Sequence, residues 1–183
     1  MHLAIAKRYI EKNGGIKNPR DFYDGNILPD LTADKDATHY GARVEEYDLV
    51  RRHAEKVNPQ KFLEHNSLDN DIARGKFLHL LVDWEFYNNF VPIDYVKSVS
   101  SLDELSRDMI YTFCIIHDKW IEKEYDVSYA MSSHEKQITQ MIDEWTKKDI
   151  ERWGENYVGR IVLSKQQTQE FIERISGKEI IAP

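Results

Sequence analysis

The sequence predicts an all-α fold, a single compact multi-helix domain over residues 1–183, and three observations carry that expectation. Apolar residues recur every three or four positions in most segments, while strictly alternating runs are missing. Helix-start signals are frequent: Asn-Pro at 18–19 and 58–59, and Ser-x-x-Glu at 101–104 and 132–135. The chain is 41% hydrophobic and 31% charged, with no internal repeat, low-complexity tract or shift in composition to mark a boundary.

Taken in order, "HLAIAKRYIEKN" spaces Leu3, Ala6 and Ile10 helically, and Gly14-Gly15 ends the helix. "NPRDFYDGNILPD" opens on an Asn cap with Pro at the first helical position and is expected to break at Gly25 and Pro29. The polar stretch 31–39 reads as a loop, and "YGARVEEYDLVRRHAEKV" as part loop and part helix. A short helix follows from Asn58-Pro59. One long helix is expected from about Ser67 to Phe90, stopping before Pro92. The Ser101/Glu104 box starts a helix to about Tyr125, the Ser132/Glu135 box starts the next, and Ser164 and Gly177 bound the last.

The net charge of −7 argues against stable nucleic-acid binding, which calls for a basic patch. The one cysteine, Cys114, allows no disulfide within the chain and reads as a small buried hydrophobe. No apolar run approaches the roughly 18 residues of a membrane span. The N-terminus lacks a signal-peptide layout, so a cytoplasmic location is the expectation.

"FLHLLVDW" puts His79 and Asp83 inside an apolar run, four residues apart. Four residues advance roughly 40° beyond a full helical turn, so both side chains share one face. Two ligands of one metal have this spacing, and so does a hydrogen-bonded core pair. Asp30 in "GNILPD", His39 in "DATHYG" and His2 at the start of the first helix add further candidates. Three imidazoles and two carboxylates make a donor set that suits zinc where cysteine is absent, and a dication would offset the burial of Asp83. His53, His65 and His134 sit among charged or polar residues and read as surface. Trp84, Phe86, Tyr87 and Phe90 fit the lining of a lipid or base pocket, with core packing the favoured reading.

The ordered motifs "MHLAIAKR", "GNILPD", "THYG" and "GKFLHLLVDWEFY" resemble the zinc-dependent phospholipase C superfamily, which also includes single-strand-specific zinc nucleases of fungi and plants. The likeness covers residues 1 to about 125. It implies a mostly helical fold and a metal-dependent hydrolase acting on a small-molecule or lipid phosphoester, phosphodiester or phosphomonoester, through metal-activated water. By motif, Asp30, His39, His79 and Asp83 would hold one zinc ion. Asp83 would bridge to a second, shared with His2 and, in the secreted members, with the terminal amine. Here His2 directly follows Met1, a shorter lead than in the family. The third family site is incomplete: "EFYNNF" has no histidine, and His117 is followed at position 121 by Ile, with Asp118 and Glu122 nearby. One or two zinc ions are therefore expected, with His117 a contributor to any third. Asp30 and Asp83 are the candidate catalytic carboxylates, as general base and bridging ligand.

Two other readings exist. "FCIIHDKW" also resembles the HD-type metal phosphohydrolases, with His117 and Asp118 as ligands and His53 upstream. Alternatively the cluster holds a structural metal, which calls for a closed four-ligand site, and the protein is not an enzyme.

Overall fold

A computed structural model of the protein describes residues 1–42, 48–91, 93–101, 104–105, 119–154 and 164–180. Helices make up the regular structure of these residues, with no strand beyond an isolated antiparallel bridge between Tyr40 and Val57. None is long and apolar enough to cross a membrane. Cys114, His117 and Asp118 lie outside the described residues.

Helix α1 (His2–Asn13) ends at Gly14 in the left-handed region, φ 65°, where glycine carries no Cβ penalty. Helix α2 (Pro19–Ile27) is capped by the Asn18 side chain, which accepts from the amides of Arg20 and Asp21. It runs straight through Gly25, contrary to the expected break. The reason lies across the helix pair: a Cβ on Gly25 would sit 2.1 Å from the carbonyl oxygen of Ile72, and one on Gly75 would sit 2.2 Å from that of Phe22. The two glycines let α2 lie backbone to backbone along α6 (Asp71–Glu85). Asp71 ties the two starts together, accepting from the amides of Lys17 (2.9 Å) and Asn18 (2.7 Å).

Pro29 turns the end of α2 into a 3₁₀ turn, Leu28–Leu31. The polar segment expected as a loop instead holds a short helix, α3 (Lys35–His39), because Asp34 caps it by accepting from the Ala37 amide. Helices α4 (Leu49–Ala54) and α5 (Pro59–His65) follow, the latter from its Asn58 cap as expected. Helix α6 begins later than its hydrophobic pattern suggested, at the Asn70 cap, and continues into a π-helical turn, Phe86–Phe90. A short helix, α7 (Ile93–Ser98), was not apparent in the sequence.

Residues 104–105 and 119–125 are helical. The Ser101 hydroxyl accepts from the Glu104 amide as a capping box requires, but the Glu104 carboxylate reaches back to Ser100. At α8 (Glu135–Trp153) the second expected box does not form. Ser132 instead donates to the carboxylate of Asp24 at 2.6 Å, and Ser133 bonds the same carboxylate through amide and hydroxyl. Helix α9 (Lys165–Ser176) has the complete Ser164/Gln167 box and ends at Gly177.

The largest apolar core joins α1, α2, α6, α8 and α9 through residues such as Ile5, Phe22, Leu78, Ile138 and Phe171. Phe86 and Phe90 pack on it, while Trp84 turns outward, 37% exposed, and departs from the expected core role. Glu173 of α9 pairs with Arg8 and Lys12, which fixes α9 along α1.

Candidate metal centre

Four segments bring the site together. His2 is the first residue of α1, Asp30 lies in the 3₁₀ turn, His39 ends α3, and His79 and Asp83 are one turn apart on α6. The sequence motifs serve this placement. Within "THYG", the Thr38 hydroxyl donates to the Pro29 carbonyl at 3.0 Å, and Tyr40 takes a left-handed conformation that ends α3. Gly41 lies so close to the next segment that a Cβ would be 2.2 Å from the Lys56 carbonyl oxygen.

The five side chains meet at their tips. His79 Nε2 lies 3.1 Å from His39 Nε2 and 3.4 Å from Asp83 Oδ2, and His39 Nε2 is 3.2 Å from that same oxygen. His2 Nε2 is 3.2 Å from Asp83 Oδ1, and its ring stacks on His79 with centroids 4.1 Å apart. Asp30 Oδ1 is 3.8 Å from His39 Nε2 and also accepts from the Lys35 ammonium. The carboxylate of Asp83 thus faces His2 with one oxygen and the other two imidazoles with the other.

Tautomers decide what this arrangement can do. His79 Nδ1 is 2.8 Å from the carbonyl oxygen of Asn26, near the C-terminal end of α2, and His39 Nδ1 is 3.0 Å from that of Lys35. A carbonyl only accepts, so each Nδ1 carries a proton, and each neutral ring presents its Nε2 as a lone pair. Two lone pairs 3.1 Å apart, beside carboxylate oxygens, repel one another unless a cation lies between them.

A proton can serve. Burial alone would push the His79 imidazole's pKa down, but Asp83 and Asp30 outweigh it and raise it. Burial likewise pushes Asp83 up, yet the positive charge a proton brings to His79, with the contacts of His2 and His39, holds its carboxyl well below the usual range. For His2 burial prevails, joined by His79, and the imidazole is shifted down despite the pull of Asp83.

A metal ion fits the same space. Two ligands at about 2.0–2.1 Å from one tetrahedral zinc stand roughly 3.3 Å apart, and the observed separations of 3.1, 3.2 and 3.4 Å match that spacing. Two triads have ligand atoms within 4.8 Å of one another: His2, His79 and Asp83, and Asp30, His39 and His79. His2 Nδ1 is buried without a hydrogen-bond partner among the described residues.

The cluster opens into a cleft of ≈ 530 Å³. Its polar lining includes His2, Asp30, His39, Asp83, Lys35 and Lys56, and its apolar lining includes Ile138, Met141, Ile142 and Trp145 of α8. The structure therefore gathers five of the six metal-ligand candidates, and the sixth, His117, lies outside the described residues.

Several contributors were not foreseen. Asn26 acts through its backbone, which no side-chain pattern reveals. Tyr87, favoured as a core residue, lines the cleft instead, and it follows Asp83 by the same four-residue step that links Asp83 to His79, a usable signal. Lys35 and Lys56 come from separate segments, and local sequence gives no hint of them. The chain matches no protein-family model, no curated protein and no solved structure.

Proposed function

We propose that the protein is a zinc-dependent phosphoester hydrolase, a phospholipase C-like phosphodiesterase. The observation that carries this reading is the convergence of Nε2 lone pairs and carboxylate oxygens at the wall of an open cleft. A bound zinc ion supplies a water acidified to a pKa of about 7 and positive charge for a phosphoryl oxygen. His39 and His79 are held as ligands by the carbonyls behind them. Asp83, with one oxygen toward His2 and the other toward His39 and His79, would be a ligand shared by two ions if both were bound. Asp30, whose carboxylate pairs with the Lys35 ammonium, would be the carboxylate available to take a proton from the attacking water. The apolar wall of α8 suits the hydrocarbon part of a lipid or other apolar ester. A structural zinc site is closed by four protein ligands; the open cleft favours catalysis over that alternative.

The test is metal content followed by turnover. Protein purified without chelator should contain about one or two zinc ions, and should hydrolyse bis-p-nitrophenyl phosphate in a reaction abolished by chelation and restored by zinc. His79→Asn should lose both metal and turnover. Stoichiometric zinc without turnover on diesters, monoesters or lipids would shift the assignment to a structural metal. No zinc uptake at all would remove the basis of the reading.

A further inference from the structure

We propose that Lys56 and Tyr87 form an arm that binds a non-bridging oxygen of the substrate's phosphoryl group, a role that rests on the hydrolase reading above. Both residues line the cleft that holds the His/Asp cluster. They reach it from separate segments, 31 residues apart.

Tyr87 lies in the π-helical turn that extends α6, four residues past Asp83, which is itself four past His79. The stripe that carries two candidate ligands thus continues to a phenol. A π turn within a helix is a common mark of a functional segment; here the Val91 amide donates to the Phe86 carbonyl at 3.0 Å.

Lys56 is pinned by backbone rather than by its own side chain. The Asn58 amide donates to the His39 carbonyl at 2.9 Å and the Ala42 amide to that of Glu55 at 3.0 Å, and Gly41 packs on the Lys56 carbonyl. The segment that ends in His39 therefore sets the position of Lys56.

The Lys56 ammonium donates to the Tyr87 hydroxyl at 2.8 Å and stands 4.5 Å from its ring centroid. An exposed lysine ordinarily extends its head into water, but this one, on an exposed residue, turns back to the cleft. Lys35 is already engaged by Asp30, whereas Lys56 contacts no carboxylate among the described residues. A phosphodiester carries its charge on two non-bridging oxygens. With one oxygen at the His/Asp cluster, an ammonium beside it is a suitable point-charge partner for the other. Burial pushes the Tyr87 phenol's pKa up, so it keeps its proton and can donate.

The test uses inorganic phosphate as the probe, titrated calorimetrically into the zinc-loaded protein, alongside the KM for bis-p-nitrophenyl phosphate. Lys56→Met should weaken phosphate binding and raise KM about 10-fold or more, with zinc content and melting temperature unchanged. Lys56→Arg should recover most of the loss, and Tyr87→Phe should show a smaller loss, about 3-fold. If Lys56→Met binds phosphate as tightly as wild type, the arm is overturned while the hydrolase reading stands. If Lys56→Met loses zinc, the residue holds the fold rather than the substrate, and the arm is again overturned. A wild-type protein that takes up zinc and turns over esters but does not bind phosphate overturns the arm alone; one that takes up no zinc fails the hydrolase reading first.

Discussion

Asp83 and Glu85 stand two residues apart on α6, and both carboxylates are largely withdrawn from water, yet their partners differ in kind. Glu85 is met by the Lys178 ammonium, by Arg174 Nη2 at 3.3 Å and by the amide of Asn89 at 2.8 Å. Asp83 is met by three imidazoles, two of which have spent their Nδ1 protons on backbone carbonyls. Two residues turn a helix by about 200°, so one carboxylate faces the cleft and the other the C-terminal segment. Lysine and arginine bring a permanent charge and complete the site around Glu85. Neutral imidazoles bring lone pairs, so the site around Asp83 still calls for a cation. Burial of an acid is therefore a weak sign of function; the protonation chemistry of its partners is the stronger one.

The largest expected effect separates the two acids by metal. Zinc at about 1,000 times its dissociation constant stabilises a protein by about 4 kcal/mol, or roughly 8–16 °C in a chain of this size. Chelation should lower the melting temperature of wild type by about that amount. Asp83→Asn should abolish the response, and Glu85→Gln should leave it intact. Equal zinc responses in the two variants would break the comparison.

Next in size is Gly75→Ala, which places a methyl group on the Phe22 carbonyl and pushes α2 off α6. It should cost about 3 kcal/mol in denaturant unfolding. Because it draws the Asn26 carbonyl away from His79, zinc affinity should fall as well. A destabilised variant with undiminished zinc affinity would show that the carbonyl does not set the tautomer.

A third carboxylate, Asp24, sharpens the contrast through pH. Burial pushes its pKa up, but the hydroxyls of Ser132 and Ser133 and the Ser133 amide more than offset this and leave it lowered. A lowered folded-state pKa gives stability that is present above the unfolded value, about 3.9, and lost as pH falls through the folded value. Asp24→Asn should thus be about 2 kcal/mol less stable than wild type at pH 7. The difference should shrink below about pH 4, as checked by urea unfolding across that range.

The smallest effect is that of Glu85→Gln on stability. Lys178 and Arg174 are 37% and 48% exposed and can turn to water when the carboxylate is lost. The expected cost is about 1 kcal/mol, with zinc content unchanged.

Much of the helix plan was legible because its signals are local. Asn18-Pro19, Asn58-Pro59 and the Ser164/Gln167 box start helices through contacts made within one turn. The same locality made His79 and Asp83 a readable pair. Failures occurred where a distant element outbid the local signal. Gly25 does not break α2, because α6 packs where its side chain would be. Ser132 does not cap Glu135: its hydroxyl donates to Asp24 and accepts from the His134 amide instead. Helix α3 went unread because a polar stretch with an Asp cap has no apolar period to reveal it.

By itself, then, the sequence determined the all-helical class, most helix starts, and the residue types from which a cation site can be built, since each depends on neighbours within about one helical turn. Tertiary structure alone decided that His2, Asp30, His39, His79 and Asp83 meet, and that the Asn26 carbonyl directs the His79 lone pair inward, whereas the Lys35 carbonyl behind His39 lies within the same helical turn. It also decided that Lys56 turns toward Tyr87. These outcomes depend on how closely separate backbones approach, which here is set by Gly25, Gly41 and Gly75, residues whose contribution is the space they leave open.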